Sequence, residues 1–121
     1  MIRTVKGIIR GINYAISGLH FALRKDRHFR INFTLSIVGT FSSLVFLSGC
    51  IALVVALANY LVLVVELLNT AIERAVDTAT QEFHPLAKAS KDVASAAVLS
   101  MGIFAFALDV VFLLPAIMER F

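Results

Sequence analysis

Glu66, Asn69, Glu73 and Asp77 recur at helical spacing at the end of a long apolar stretch. Steps of three or four residues put them all on one face of a helix. Three acids aligned in this way repel one another, by roughly a few tenths of a kcal/mol per pair in an isolated helix. Glu66 directly follows Leu61-Val62-Leu63-Val64-Val65, and a charge at membrane depth costs at least ~2.5 kcal/mol. A bound cation or a basic partner would offset that cost, and an acid so placed is suited to act as a general base. Asp77 also fits a plain solvated helix end, outside the bilayer.

A second cluster, Lys91-Asp92, is expected to open the last long helix. Lysine is a compact point charge suited to phosphate oxygens, and a helix start offers free backbone amides. From these two residues alone, a lysine reaching to the membrane surface beside an N-terminal acid explains the pair equally well. Ala94, Ser95, Ala96 and Ala97 follow, and small residues allow the close helix packing that would bring Lys91 near the acidic face. A third group, Asp26-Arg27-His28-Phe29-Arg30, reads by itself as interfacial anchoring. His20, His28 and His84 lack zinc-site spacing, so no structural metal is assigned. There is no glycine-rich phosphate loop, nucleophile elbow or papain-like cysteine context. The single cysteine, Cys50, excludes a disulfide framework within the chain and reads as an apolar filler.

The elements that must position these groups belong to a membrane. The chain has 121 residues, enough for one domain at most. Hydrophobic residues make up 60% and charged ones 16%, too little polar surface to cover a soluble domain. From Val5 to Leu23 the apolar residues Val5, Ile8, Ile9, Ile12, Ile16, Leu19 and Leu23 share one stripe, with Lys6, Arg10, Asn13, Ser17 and Arg24 facing elsewhere. That pattern predicts an amphipathic helix over about 4–25, lying in the membrane interface. Ile31 to Val65 carries no charge. At about 20 residues per span it is long enough for two short spans, with Ser48-Gly49 as the break. Helices are therefore expected at about 28–47, 50–80 and 92–115, with a turn at His84-Pro85 and an end at Pro115.

Lysine and arginine counts place residues 1–30 and 66–92 in the cytoplasm. No secretory signal peptide is expected. The modest net charge of +3 is concentrated beside apolar runs, so an anionic membrane surface is the expected partner and nucleic acid is not.

The run Glu66-Leu-Leu-Asn-Thr-Ala-Ile-Glu73, with Asp77, Glu82-Phe83-His84-Pro85-Leu86-Ala87-Lys88 and Lys91-Asp92-Val93-Ala94-Ser95-Ala96-Ala97-Val98, resembles the signature of the prokaryotic diacylglycerol kinase family, which includes the undecaprenol kinases. The likeness covers nearly the whole chain, since the amphipathic start, Gly18-Leu19 and the Asp26–Arg30 segment also fit. It implies an all-α homotrimer of three-span subunits in the bacterial plasma membrane, with shared active sites on the cytoplasmic side. The reaction implied is transfer of the γ-phosphoryl of MgATP to a lipid hydroxyl.

Carried onto this chain, the resemblance makes Glu66 the general base, with Asn69 positioning groups beside it. Asp26 and Glu73 would hold Mg²⁺, Lys91 would neutralise phosphate charge and Asp92 would orient it. Tyr14, Asp77, Glu82 and His84 would join Asp26, Glu73, Lys91 and Asp92 at the nucleotide, while Gly18, Arg30, Glu66 and Ser95 would meet the lipid. This chain departs from the family pattern at Asp26, where glutamate is usual, and at Gly7, which stands where an early arginine is expected. His84-Pro85-Leu86-Ala87-Lys88, Phe112-Leu113-Leu114-Pro115 and the absence of tryptophan lean toward undecaprenol over diacylglycerol as acceptor. The competing class is a non-enzymatic membrane protein, a small channel or scaffold. It accounts for the spans but not for acids and Lys91-Asp92 gathering at one edge. Asp109, alone inside a span, is unexplained by either reading.

Overall fold

The computed structural model describes the backbone from Ile2 to Phe121 and side chains from Lys6 onward; those of Arg3 and Val5 lie outside the described residues. All regular structure among the described residues is helical. Helix α1 runs Ile2–Lys25, α2 Arg27–Phe46, α3 Gly49–Ala79 and α4 Pro85–Leu108; a π-helical turn, Asp109–Leu113, then leads into α5, Leu114–Met118. Arg27–Phe46, Gly49–Ala79 and the stretch Pro85–Met118 are each long and apolar enough to cross a membrane. The expected all-α plan, an amphipathic first helix followed by three such helices, is the one found.

The end of α1 is anchored, whereas its apolar stripe is open. Ala22 packs with Phe29 and Leu63 in a small core flanked by Leu19, Leu23 and Leu67. Ile8, Ile9, Ile12 and Ile16 stay more than half exposed. An apolar stripe left uncovered beside spanning helices is what an interfacial helix presents to lipid.

One residue makes the corner between α1 and α2. Asp26 has extended backbone, and its Oδ1 accepts from His28 N at 2.8 Å and Phe29 N at 3.1 Å. These are the amides that a helix start leaves without backbone partners, and a short carboxylate is suited to capping them. The α2–α3 turn falls where Ser48-Gly49 predicts it. Leu47 and Ser48 are extended, and Gly49 takes φ +62°, a conformation open to a residue without Cβ.

Small side chains let α2 and α3 approach closely, as in membrane bundles generally. Ser36, Ser43, Ala52 and Ala56 are buried, and Thr40 Oγ1 donates to Ala56 O at 3.3 Å. A Cβ on Gly39 would collide with the Asn59 carboxamide.

Two expected boundaries are corrected. Helix α4 begins at Pro85, well before Lys91, because His84 Nδ1 accepts from Leu86 N at 3.2 Å and proline occupies the first turn. Lys91-Asp92 therefore lies inside the helix, and the free amides of its start belong to the His84-Pro85 corner. Nor does Pro115 end the helix, which continues to Met118. Proline lacks the N–H that would close an α-turn, and the chain answers with a wider one, Leu114 N donating to Asp109 O.

Candidate functional site

Helix α3 carries its acids out of the apolar run and into a cleft of about 500 Å³ between the α1–α2 corner and α4. Glu66 lies at its base, only 3% exposed. Asn69 and Glu73 stand above it on the same face, and Asn69 Nδ2 donates to Glu73 Oε1 at 3.2 Å. Asp26 enters from the corner and Ser95 from α4. The chain thus brings Asp26 and Ser95, distant in sequence, to the Glu66, Asn69 and Glu73 face of α3.

An adjoining hollow of about 600 Å³ is formed by the end of α3, the connection through His84 and the start of α4. Asp77, Glu82, His84 and Lys91 line it. Asp77 shares a helix face with Glu66, but at about 1.5 Å of rise per residue it stands roughly 16 Å farther along the axis. Lys91 Nζ reaches across from α4 to Asp77 Oδ1 at 2.5 Å.

The expected pairing of Lys91 with Asp92 is not the one found. Consecutive residues on a helix point in different directions, so Asp92 turns away and pairs with Lys88, one turn earlier. It lines neither the cleft nor the hollow. Three further residues also lie apart from both. Tyr14 is 74% exposed on α1, and a Cβ on Gly18 would meet only open space. Arg30 reaches back to the end of α1, its guanidinium donating to Leu23 O at 3.2 Å.

Lining residues missed from sequence are Asn32, Lys25 and Arg74. Asn32 faces Glu66 from α2, one turn beyond His28, and an amide within an uncharged run gave no chemical signal. Arg74 follows Glu73 directly and carried no motif of its own.

Among the described residues no group of three histidine, cysteine or acidic side chains is arranged to hold a metal. The donors that are present suit a hard cation completed by phosphate oxygens. Mg²⁺ is usually held by one or two carboxylates together with substrate phosphates, and Asp26 and Glu73 supply two in one cleft. Both capping bonds of Asp26 go to Oδ1, which leaves Oδ2 for another partner. Beside Glu73 the buried Asn69 Oδ1 accepts no hydrogen bond among the described residues. An acceptor oxygen left unpaired in a buried setting is costly, and a cation, a water or a substrate hydroxyl would satisfy it.

A family model described as prokaryotic diacylglycerol kinase matches residues 13–113. A diacylglycerol kinase of Synechocystis sp. is 41% identical over 114 residues, covering 93% of this chain and 65% of that protein. The chain thus spans less than two thirds of this relative's length. A diacylglycerol kinase of Pseudomonas aeruginosa is 39% identical over 97 residues, covering 77% of this chain and 76% of the other. An undecaprenol kinase of Bacillus subtilis is 48% identical over 50 residues, 41% of each chain.

Proposed function

The chain belongs to the prokaryotic diacylglycerol kinase family, and from that premise we propose that it transfers the γ-phosphoryl group of ATP to the hydroxyl of a membrane lipid. The observation that carries this reading is the position of Glu66. A buried carboxylate lies where an apolar helix emerges into a cleft that also holds Asp26, Glu73 and Arg74. A lipid hydroxyl enters such a place from the bilayer and a nucleotide from the water side.

Glu66 takes the hydroxyl proton as the lipid oxygen bonds to the γ-phosphorus, and the bond from that phosphorus to the ADP oxygen breaks. Asn32 and Asn69 fix the carboxylate and the entering hydroxyl. Asp26 and Glu73 would hold Mg²⁺, which when bound offsets charge on the phosphates. Lys91, steadied by Asp77, neutralises more of it. Phosphoryl transfer asks mainly for such positioning and charge stabilisation. We assign the cleft to the cytoplasmic side of the bacterial plasma membrane, on the lysine and arginine distribution. The open apolar faces of α1 and α4 would be covered by lipid and by copies of the chain in a homotrimer.

For the acceptor, support divides. The relatives matched over most of the chain carry the name diacylglycerol kinase, which supports diacylglycerol as the acceptor over undecaprenol. Undecaprenol is the second reading, supported by the shorter match and by the His84–Lys88 and Phe112–Pro115 segments. Radiolabelled transfer from MgATP to each lipid in mixed micelles tests both, with Glu66→Gln as control. The variant is expected to lose about 10²–10⁴-fold in rate. Preference for undecaprenol would reverse the choice of acceptor. Transfer to neither lipid, by folded protein with Mg²⁺ present, would overturn the kinase reading in favour of a channel or scaffold.

A further inference from the structure

We propose that Arg74 is a second phosphate-binding cation of the nucleotide site, set at the seam between the Glu66 cleft and the adjoining hollow; this rests on the lipid kinase reading. Arg74 lines the cleft, whereas Asp77 and Lys91 line the hollow. One carboxylate joins them: Asp77 Oδ1 holds Lys91 at 2.5 Å and Asp77 Oδ2 lies 4.0 Å from Arg74 NH1. A single negative charge between two cations leaves a net positive seam. A nucleotide with its base in the hollow and its terminal phosphoryl group at Glu66 must lay its polyphosphate across this seam.

The surroundings argue for an anion there. Three carboxylates, Asp26, Glu66 and Glu73, line the cleft and would repel a nucleotide; Lys25 and Arg27 offset them at the α1–α2 corner, and Arg74 is the cation that α3 itself supplies, on the side toward the hollow. The Arg74 guanidinium lies over the Phe21 ring of α1, its carbon 5.8 Å from the ring centroid. That contact offers the guanidinium no oxygen acceptor, so its N–H donors are not consumed by it. Planar donors in a fork match phosphate oxygens in pairs, which a lysine cannot do. As a structural strut Arg74 would achieve little, because its side chain is 47% and that of Asp77 48% exposed, and such ion pairs contribute little to stability.

The test is titration calorimetry with MgATP on the purified protein in detergent, alongside steady-state transfer to diacylglycerol. Arg74→Gln is expected to weaken MgATP binding and raise its KM about tenfold or more, leaving the KM for lipid unchanged. Arg74→Lys should recover part of the loss. Wild-type Kd and KM within about twofold in Arg74→Gln would overturn the proposal. So would a rise in lipid KM matching the rise for MgATP, which would make Arg74 an anchor of α1. Wild-type protein that binds MgATP but phosphorylates no lipid would sink the kinase reading, with the calorimetry still deciding whether Arg74 contacts the nucleotide.

Discussion

Asn59 Nδ2 donates to Asp109 Oδ1 across 2.8 Å, joining the middle of α3 to the first residue of the π-helical turn. The same amide also donates to Val55 O at 3.2 Å. Asp109 is thereby accounted for: an acid inside a span has a buried partner on the neighbouring helix. Gly39 completes the arrangement, since only a residue without Cβ leaves room for the Asn59 carboxamide. This contact sets how α2, α3 and the end of α4 sit together, about two turns of α3 before Glu66.

Gly39→Ala should therefore destabilise the bundle by about 1–3 kcal/mol, the range for overpacking a tight core. Asn59→Ala should also destabilise, by leaving Asp109 without its donor. In the double variant the two costs should not add, because the carboxamide that the added methyl group would strike has gone. Unfolding in detergent, followed by circular dichroism, measures the cycle. Strict additivity would show that Gly39 and Asn59 do not compete for space.

Asp26 has two duties that substitutions can separate. Asp26→Ser keeps a capping oxygen but loses the carboxylate, whereas Asp26→Ala loses both. Stability should fall by roughly 1 kcal/mol in the alanine variant and scarcely at all in the serine one. Both should need much more Mg²⁺ for half-maximal transfer. Wild-type Mg²⁺ dependence in Asp26→Ser would remove Asp26 from the metal site and leave it a cap alone.

Lys91 and Asp77 predict a split between stability and nucleotide affinity. Their side chains are 37% and 48% exposed, so breaking the pair should cost no more than about 1 kcal/mol. Lys91→Ala should nevertheless raise the KM for MgATP about tenfold, as expected when a charged hydrogen bond to phosphate is lost. Asp77→Asn should have a smaller effect, because it releases Lys91 and Arg74 without removing either charge. A large fall in melting temperature with an unchanged KM would make the pair a strut between α3 and α4.

The acidic face of α3 is legible in the sequence because helical periodicity is a local property: residues three and four apart must face together whatever surrounds them. Glu66, Asn69 and Glu73 stand out on that ground alone. Span lengths and the Ser48-Gly49 turn follow likewise from runs of apolar residues and a glycine. The partner of Lys91 is not legible, because sequence adjacency suggests Asp92 whereas a helix sends neighbours in different directions. Nor is the start of α4, because His84-Pro85 reads as a turn, while proline also opens helices and the histidine caps this one.

Residue order by itself determined the all-helical plan, the acidic stripe and the family, since these rest on periodicity, run length and motifs within short windows. Only the tertiary structure decided that Asp26 caps α2 while entering the cleft, that Asn32 faces Glu66, that Asp77 holds Lys91 beside Arg74 and that Asn59 secures Asp109. Each of these joins residues on different elements or at a corner between them. Such meetings depend on how helices rotate and slide against one another, and small residues such as Gly39 set that packing without any chemical signature in the chain.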